Sequence, residues 1–222
     1  MKLRTKILAI ICTVSCILAV VLGVTLDYIV TNGYSAIEKQ DVAMDVGRVQ
    51  NQLHQEEMNL ASVTYDWSVW DDTYSFVNNT NQEFILENLQ FGVFDQININ
   101  FMFFYNNSGD LIYAKAFDFD RGIEIHLPYY LFSYINENKN TLLSHPSLNY
   151  NLTGILYYSE NETPLLISVA PILHSNGSGP IGGTLIIGKF FDNAKIVSLE
   201  NITQLLIALH PLSDQVAEAS LQ

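Results

Sequence analysis

Cysteine is nearly absent from this sequence of 222 residues, and both cysteines, Cys12 and Cys16, lie within one apolar run. The rest of the chain therefore has neither an internal disulfide nor a thiolate metal site. The five histidines are scattered, without a metal-ligand spacing such as H-x-x-x-H. We expect no metal site and no cofactor, and a folded part that is stabilised by its hydrophobic core.

Basic residues are also scarce, with 10 Lys and Arg against 23 Asp and Glu. After residue 26 the balance is 7 against 23, a net charge of −16. Proteins bind phosphate backbones through clustered Lys and Arg, so we expect no nucleic-acid partner.

Signatures of catalysis are missing as well. No phosphate loop of the form G-x-x-x-x-G-K-[ST] occurs. Asp71 and Asp72 are adjacent acids, but neighbouring residues on a helix do not face each other as a catalytic carboxylate pair must. An exported hydrolase would need another acid facing this pair, and the sequence selects none. We therefore expect no enzymatic activity in this chain.

The apolar run covers residues 7–26 and contains no charge. A helix of about 20 apolar residues crosses a bilayer core of roughly 30 Å. Lys2, Arg4 and Lys6 precede the run, which by the positive-inside rule places the N-terminus in the cytoplasm. A cleaved signal peptide and a lipoprotein signal at Cys16 are the alternatives, and all three export the rest of the chain.

These observations predict a protein of the cell membrane that crosses it once in this chain, with the residues after about 30 outside. No second apolar run of membrane-spanning length follows. The predicted organisation is a cytoplasmic basic tail at 1–6, a transmembrane helix at 7–29, an extracellular domain at 30–210 and the start of an exit segment, which is cut short, at 211–222.

A long helix is predicted from the membrane segment to about Trp70. Its apolar stripe consists of Val42, Val46, Val49, Leu53, Leu60, Val63, Trp67 and Trp70. Steps of three, four and seven residues are typical of one helix face. The stripe turns both tryptophans toward the core and is compatible with a homodimer paired through this helix.

The stretch DWSVWDDTYSF, residues 66–76, combines three acids with four aromatic residues. It favours a packing corner, with an Asp ending one helix or capping the next turn, or else a ligand pocket. Aromatic walls beside oriented carboxylates suit a small cationic or polar ligand. The candidate ligand-binding residues are Trp67, Trp70, Asp71, Asp72 and Tyr74.

The remaining pattern predicts an α+β domain with an antiparallel sheet flanked by helices. Predicted strands lie at 97–105, 111–117, 154–158, 165–173, 182–190 and 203–209, and predicted helices at 80–90, 128–138 and 191–200. A hairpin loop is predicted at residues 178–183, the tract Ser178-Gly179-Pro180-Ile181-Gly182-Gly183, because its residues are turn formers.

Six N-x-[ST] sequons suggest a glycosylated surface domain. They begin at Asn78, Asn106, Asn151, Asn161, Asn176 and Asn201. An Asn-rich composition without any glycan explains them equally well.

The combination of an N-terminal anchor with W-x-x-W-D-D-x-Y-x-F, and then N…F…N-L, resembles the fourth type of the CHASE extracellular sensory domains. The matching positions are Trp67, Trp70, Asp71, Asp72, Tyr74, Phe76, Asn81, Phe84, Asn88 and Leu89, and the segment 183–192 is similar to the closing strand of that family. The resemblance covers roughly residues 40–210. It implies a PAS/Cache-like input module of membrane histidine kinases or cyclic-dinucleotide enzymes, with no enzymatic activity of its own.

We therefore expect a signal-input domain that binds an unknown small molecule and acts on a cytoplasmic transmitter, on a missing part or on another chain. The alternative is a stand-alone, membrane-anchored module of the cell envelope with no small-molecule ligand.

Overall fold

The computed structural model describes residues 3–157 and 163–210. The predicted exit segment at 211–222, Lys2 of the basic tail, Asn161 and Tyr158 lie outside the described residues. Contacts between residues divide the chain into two units, Met1–Gln50 and Asn51–Gln222.

Helix α1 spans Leu3–Ser68 and supplies the described residues of the first unit. In the described part of the chain, one segment, Lys6–Val30, is long and apolar enough to cross a membrane, with a mean hydropathy of 2.9. It is not buried inside the protein. Lipid-facing helices have this property, and so do signal sequences.

The second unit contains the end of α1 and an α+β domain. Its further helices are α2 (Asp71–Asn78), α3 (Gln82–Asn88), α4 (Phe91–Gln96), α5 (Tyr129–Glu137), α6 (Lys139–Leu142) and α7 (Asn193–Thr203). Its strands are β1 (Phe101–Asn106), β2 (Leu111–Asp118), β3 (Ile123–Glu124), β4 (Leu152–Leu156), β5 (Leu165–Ile172) and β6 (Gly183–Phe190).

In the described residues the six strands form one antiparallel sheet in the order β3-β2-β1-β6-β5-β4. The β1–β2 hairpin and the β4–β5–β6 meander meet where β1 pairs with β6, with Phe103 opposite Ile186. Asn106 accepts hydrogen bonds from the backbone N–H groups of Ser108 and Asp110 in the first hairpin turn, and Gly109 there has a φ of +79°. These turn residues allow the chain to reverse in the space of a few positions.

Both faces of the sheet are covered, which explains why residues 101–105 of β1 are all large and buried. Met102 and Phe104 belong to the core on one face, with Leu60 of α1. Phe101 and Phe103 belong to the core on the other face, with residues of α5 and α6. Successive residues of a strand point to opposite faces, so a strand between two cores is apolar at every position.

The structure confirms the predicted fold class, and it corrects three strand predictions. The strand predicted at 154–158 lies at Leu152–Leu156. The predicted strand at 203–209 is wrong: Thr203 still belongs to α7, Gln204 takes a left-handed conformation with a φ of +60°, and the N–H of Ile207 bonds to the Glu200 side chain. The predicted strand at 97–105 begins only at Phe101, because α4 precedes it and Asn98 has a φ of +54°. A six-residue helix such as α4 has too few turns to show a helical period.

Candidate functional site

The candidate site begins where helix α1 ends. The carbonyl of Ser68 accepts a hydrogen bond of 2.8 Å from the backbone N–H of Leu173, and Val69 forms an isolated parallel bridge with Leu173. Trp70 is extended, and α2 starts at Asp71. Leu173, directly after β5, thus fixes the break between α1 and α2, which we call the corner (residues 67–74).

Both tryptophans pack against the hydrophobic core as predicted, Trp67 on the helical stripe and Trp70 from an extended position beyond the end of α1. Their rings meet edge to face, with centroids 5.8 Å apart and an interplanar angle of 89°. The ring of Trp70 also lies 5.8 Å from Phe84. Each tryptophan is half-buried and contributes to the core under the sheet. Aromatic pairs in this geometry stabilise by about 0.5–1.5 kcal/mol beyond the area that they bury.

Asp71 is bound to the loop between β5 and β6. Nδ1 of His174 donates to its Oδ1 over 2.7 Å, and its own backbone N–H donates to Oγ of Ser175 over 2.9 Å. The hydrogen bond from His174 holds the pKa of Asp71 below its ordinary value, and hydrogen bonding of the carboxylate with the side chain and the backbone N–H of Ser175 acts in the same direction. Asp71 also lies in the first turn of α2, where a negative charge is favourable.

Tyr74 completes this contact by stacking on the imidazole of His174, with ring centroids 4.0 Å apart and 27° between the planes. Gly182, at the other end of the loop, allows the approach: a Cβ there would lie 2.7 Å from Cε2 of Tyr74. The hairpin glycine thus has a steric role that its turn chemistry does not reveal.

Asp72 points elsewhere. With Glu83, Glu87 and Asn88 it lines a cavity of about 250 Å³ that Phe84 also borders. Asn81 at the same cavity caps α3, its side-chain oxygen accepting from the N–H of Phe84 over 2.6 Å. The carboxylates give this cavity a negative lining.

The five candidate ligand-binding residues thus have three kinds of surroundings. Trp67 and Trp70 pack on the core, Asp71 and Tyr74 contact His174, and Asp72 faces the acidic cavity. No spacing or motif in the sequence pointed to His174 and Ser175, which are more than 100 positions from Asp71 along the chain. Their only sequence signal is the loop composition of HSNGSGP.

The described sequon residues lie at several kinds of position. Asn78, Asn151, Asn176 and Asn201 are exposed, whereas Asn106 is half-buried in its turn. The amide nitrogen of Asn78 donates to the carbonyl of Tyr74, and that of Asn106 to Asp110. Glycosylation at any of them stays a prediction.

Comparison with known proteins identifies the domain. Residues 52–210 match the CHASE4 domain. The chain belongs to the CHASE4 family. This confirms the resemblance carried by the Trp67–Phe76 motif.

A relative of this CHASE4 chain is the methanogenesis regulatory histidine kinase FilI of Methanothrix harundinacea (strain 6Ac), 32% identical over 203 residues. The match covers 91% of this chain and 22% of that kinase. The chain thus spans about a fifth of the length of its relative. The CHASE4 domain is a sensor-type domain related to a part of a histidine kinase.

Two solved structures match a large part of this chain. A domain of a sensory box/GGDEF family protein from Vibrio parahaemolyticus matches 72% of this chain and 63% of its own, with a TM-score of 0.50 and 14% identity. The sensor domain of the V. cholerae histidine kinase DctB matches 75% and 59%, with a TM-score of 0.46 and 14% identity. At 14% identity, the match to the Vibrio parahaemolyticus domain shows a shared fold and nothing about function.

Proposed function

We propose that residues 51–210 are the extracytoplasmic input domain of a membrane receptor of the histidine-kinase class. The observation that carries the proposal is that one helix, α1, contains both the apolar segment Lys6–Val30 and buried residues of the CHASE4 domain. Kinship with the kinase from Methanothrix harundinacea supports the class of receptor.

The end of α1 is integrated into the domain in several ways. Leu60 and Thr64 are fully buried, and Oγ1 of Thr64 donates to the carbonyl of Leu60. The carbonyl of Ser68 is bound by the N–H of Leu173 at the corner. A rearrangement of the sheet domain would therefore change the contacts of α1, the element that carries the signal toward the membrane in this proposal.

A ligand can shift such an arrangement only by binding its two states with different affinity. In the proposed receptor, ligand binding favours one packing of α1 over another, and the corner is the joint at which the packing changes. Lys2, Arg4 and Lys6, which precede the uncharged run at 7–26, support a cytoplasmic N-terminus and an external CHASE4 domain. The transmitter would lie on a longer form of this chain or on a partner.

That Trp67, Trp70, Asp71, Asp72 and Tyr74 bind the ligand stays a prediction. Its most specific form is a cationic ligand in the acidic cavity at Asp72. Titration of the full chain with choline, a quaternary ammonium probe, tests this form. Saturable binding that Asp72→Asn removes supports it, and absence of binding contradicts it without touching the proposal of an input domain.

The experiment that tests the function is identification of the native protein in membranes of its source. An antibody against residues 51–210 would isolate it for mass determination and peptide sequencing. A product well above the 25.0 kDa of this chain, containing histidine-kinase peptides, or co-isolation with a kinase, is the expected result. A product of about that mass with no kinase would overturn the proposal and favour the stand-alone envelope module.

A further inference from the structure

A second cavity lies at the end of the sheet remote from the corner. It has a volume of about 540 Å³ and is formed where β1 begins, β2 and β6 end and α7 starts. Small-molecule sites are clefts of about 300–1,000 Å³ with apolar walls and a few polar groups. Phe119 and Phe190 are aromatic residues in its wall, and Lys189 and Lys195 are its basic residues.

Lys189 is the unusual residue of this cleft, because it is a lysine inside a sheet. It pairs with Leu166 of β5, and only 8% of its surface is exposed. In the described part of the chain its ion-pair partner is Glu56 of α1, whose Oε2 lies 3.8 Å from Nζ, too far for a hydrogen bond. Burial lowers the pKa of Lys189, and the charge of Glu56 opposes that shift.

Glu56 is shared between two lysines. Its Oε1 accepts a hydrogen bond of 2.7 Å from Nζ of Lys195, so the better contact goes to Lys195. Two ammonium groups and one carboxylate leave the trio with a net charge of +1. Buried charges are stable when they are paired and hydrogen-bonded. The ammonium group of Lys189 has its carboxylate partner at 3.8 Å, beyond hydrogen-bond distance, so an anion in the cleft would be a better partner.

Three carboxylates, those of Asp118, Asp120 and Asp192, also line the cleft, and they offset the positive charge of the trio to different degrees. Asp118 accepts from the backbone N–H of Arg121 and lies 3.6 Å from its guanidinium. Asp192 caps α7 by accepting from the N–H of Lys195 over 2.9 Å. Asp118 and Asp192 thus already accept hydrogen bonds from neighbouring residues, and the third carboxylate, that of Asp120, is exposed to solvent. A small anion with an apolar body therefore fits the buried part of the cleft best.

We propose that this cleft binds a small organic carboxylate, with its carboxylate at Lys189 and its apolar part against Phe119, which packs on the same face of the sheet. The ligand supplies the charge-assisted hydrogen bonds that Glu56 gives chiefly to Lys195. Because Glu56 belongs to α1, occupancy of the cleft alters the contact between β6 and α1. Binding itself is independent of the proposed input function, and only this last step rests on it.

The test uses the full chain in detergent micelles, with sodium acetate, butyrate, phenylacetate and succinate as probes. Thermal unfolding and isothermal titration calorimetry measure binding, with sodium chloride and n-butylamine as controls. We expect saturable binding of at least one carboxylate, with a rise in Tm, and no such effect of the amine. Absence of binding by all four carboxylates, or equal binding of the amine, overturns the proposal.

Three variants locate the site. Lys189→Met removes the charge and is expected to weaken binding about tenfold or more, the value of a charge-assisted hydrogen bond. Lys139→Met, at an exposed lysine of α6 outside the cleft lining, is the matched control and should bind as the parent does. Ala194→Trp fills the cleft from an exposed position and leaves the trio intact, so it decides the matter if Lys189→Met does not fold. Undiminished binding by Ala194→Trp places the site elsewhere.

Discussion

Nδ1 of His174 donates a hydrogen bond of 2.7 Å to Oδ1 of Asp71, across 103 positions of the sequence. The bond joins the first turn of α2 to the β5–β6 loop. Together with the stacking of Tyr74 on His174 and the backbone hydrogen bond from Leu173 to Ser68, it stabilises the corner. The corner is thus a joint between the motif that defines the family resemblance and the sheet.

Replacement of His174 by alanine is predicted to loosen the corner. The change removes the Tyr74 stack, worth about 0.5–1.5 kcal/mol, together with a hydrogen bond that solvent partly screens. The measurement is urea unfolding of the full chain in detergent. His54→Ala, at an exposed histidine of α1, is the control and should change the unfolding midpoint little. An equal effect of the two substitutions would mean that the stack contributes nothing.

Asp71 should make stability depend on pH in the acid range. Its folded-state pKa lies below the ordinary value of 3.8, so its contribution is complete above that value and disappears as the pH falls through the folded pKa. We expect Asp71→Asn to be less stable than the parent near neutral pH and the difference to shrink in acid. Unfolding midpoints at a series of pH values measure it, and a difference that does not change with pH would contradict the assignment.

Gly182→Ala is predicted to displace Tyr74, since its Cβ would lie 2.7 Å from Cε2 of that ring. Overpacking of this kind costs about 1–3 kcal/mol. Gly154→Ala in β4 is the matched control, because no atom lies within 4 Å of a Cβ there. In the double variant Gly182→Ala/Tyr74→Ala the clash is absent, so the two losses should not add. Additive losses would show that the ring does not cause the effect.

Leu60→Ala tests whether the end of α1 belongs to the CHASE4 core. Leu60 is fully buried, so truncation should lower the free energy of unfolding by about 2–5 kcal/mol. Met58→Ala, two positions earlier and 54% exposed, should have little effect. Chemical unfolding followed by tryptophan fluorescence measures both, because Trp67 and Trp70 lie in the same core. Similar losses for the two variants would contradict the packing of this segment.

Glu56→Gln is predicted to destabilise the domain by leaving two lysines without their shared carboxylate. Loss of one partner of a largely buried hydrogen-bonded charge costs about 1–3 kcal/mol. Glu57→Gln is the control. The carboxylate of Glu57 lies 3.7 Å from Nδ1 of the exposed His54, too far for a hydrogen bond, so its loss should change stability little. Thermal unfolding at low and moderate salt measures both variants. A Glu56 effect that salt abolishes would show that the trio is open to solvent.

Elements that depend on neighbouring residues could be predicted from the sequence. The turn Asn106–Asp110 follows from the turn-forming residues themselves, and the inward direction of Trp67 follows from the spacing of the stripe on α1. The strand predicted at 203–209 was wrong because a short apolar stretch has no distinctive period, and the side chain of Glu200 took the N–H of Ile207.

The site itself depended on contacts between distant residues. No spacing in the sequence links Asp71 to His174, or Glu56 to Lys189, because each pair becomes adjacent only when the sheet has formed. The clash with the Tyr74 ring expected for a side chain at Gly182 could not be predicted either, because glycine is common in hairpin loops for other reasons.

By itself, the sequence determined the apolar segment at the N-terminus, the class of fold, the hairpins and the motif that places the chain in the CHASE4 family. Local spacing and the alternation of apolar residues are enough for these. Tertiary structure alone decided that Asp71 meets His174, that Asp72 faces a different cavity, and that a buried lysine borders the cleft at the far end of the sheet. The pairing of β1 with β6 brings the ends of β1, β2 and β6 together at the cleft, and the contact of α2 with the β5–β6 loop joins Asp71 to His174.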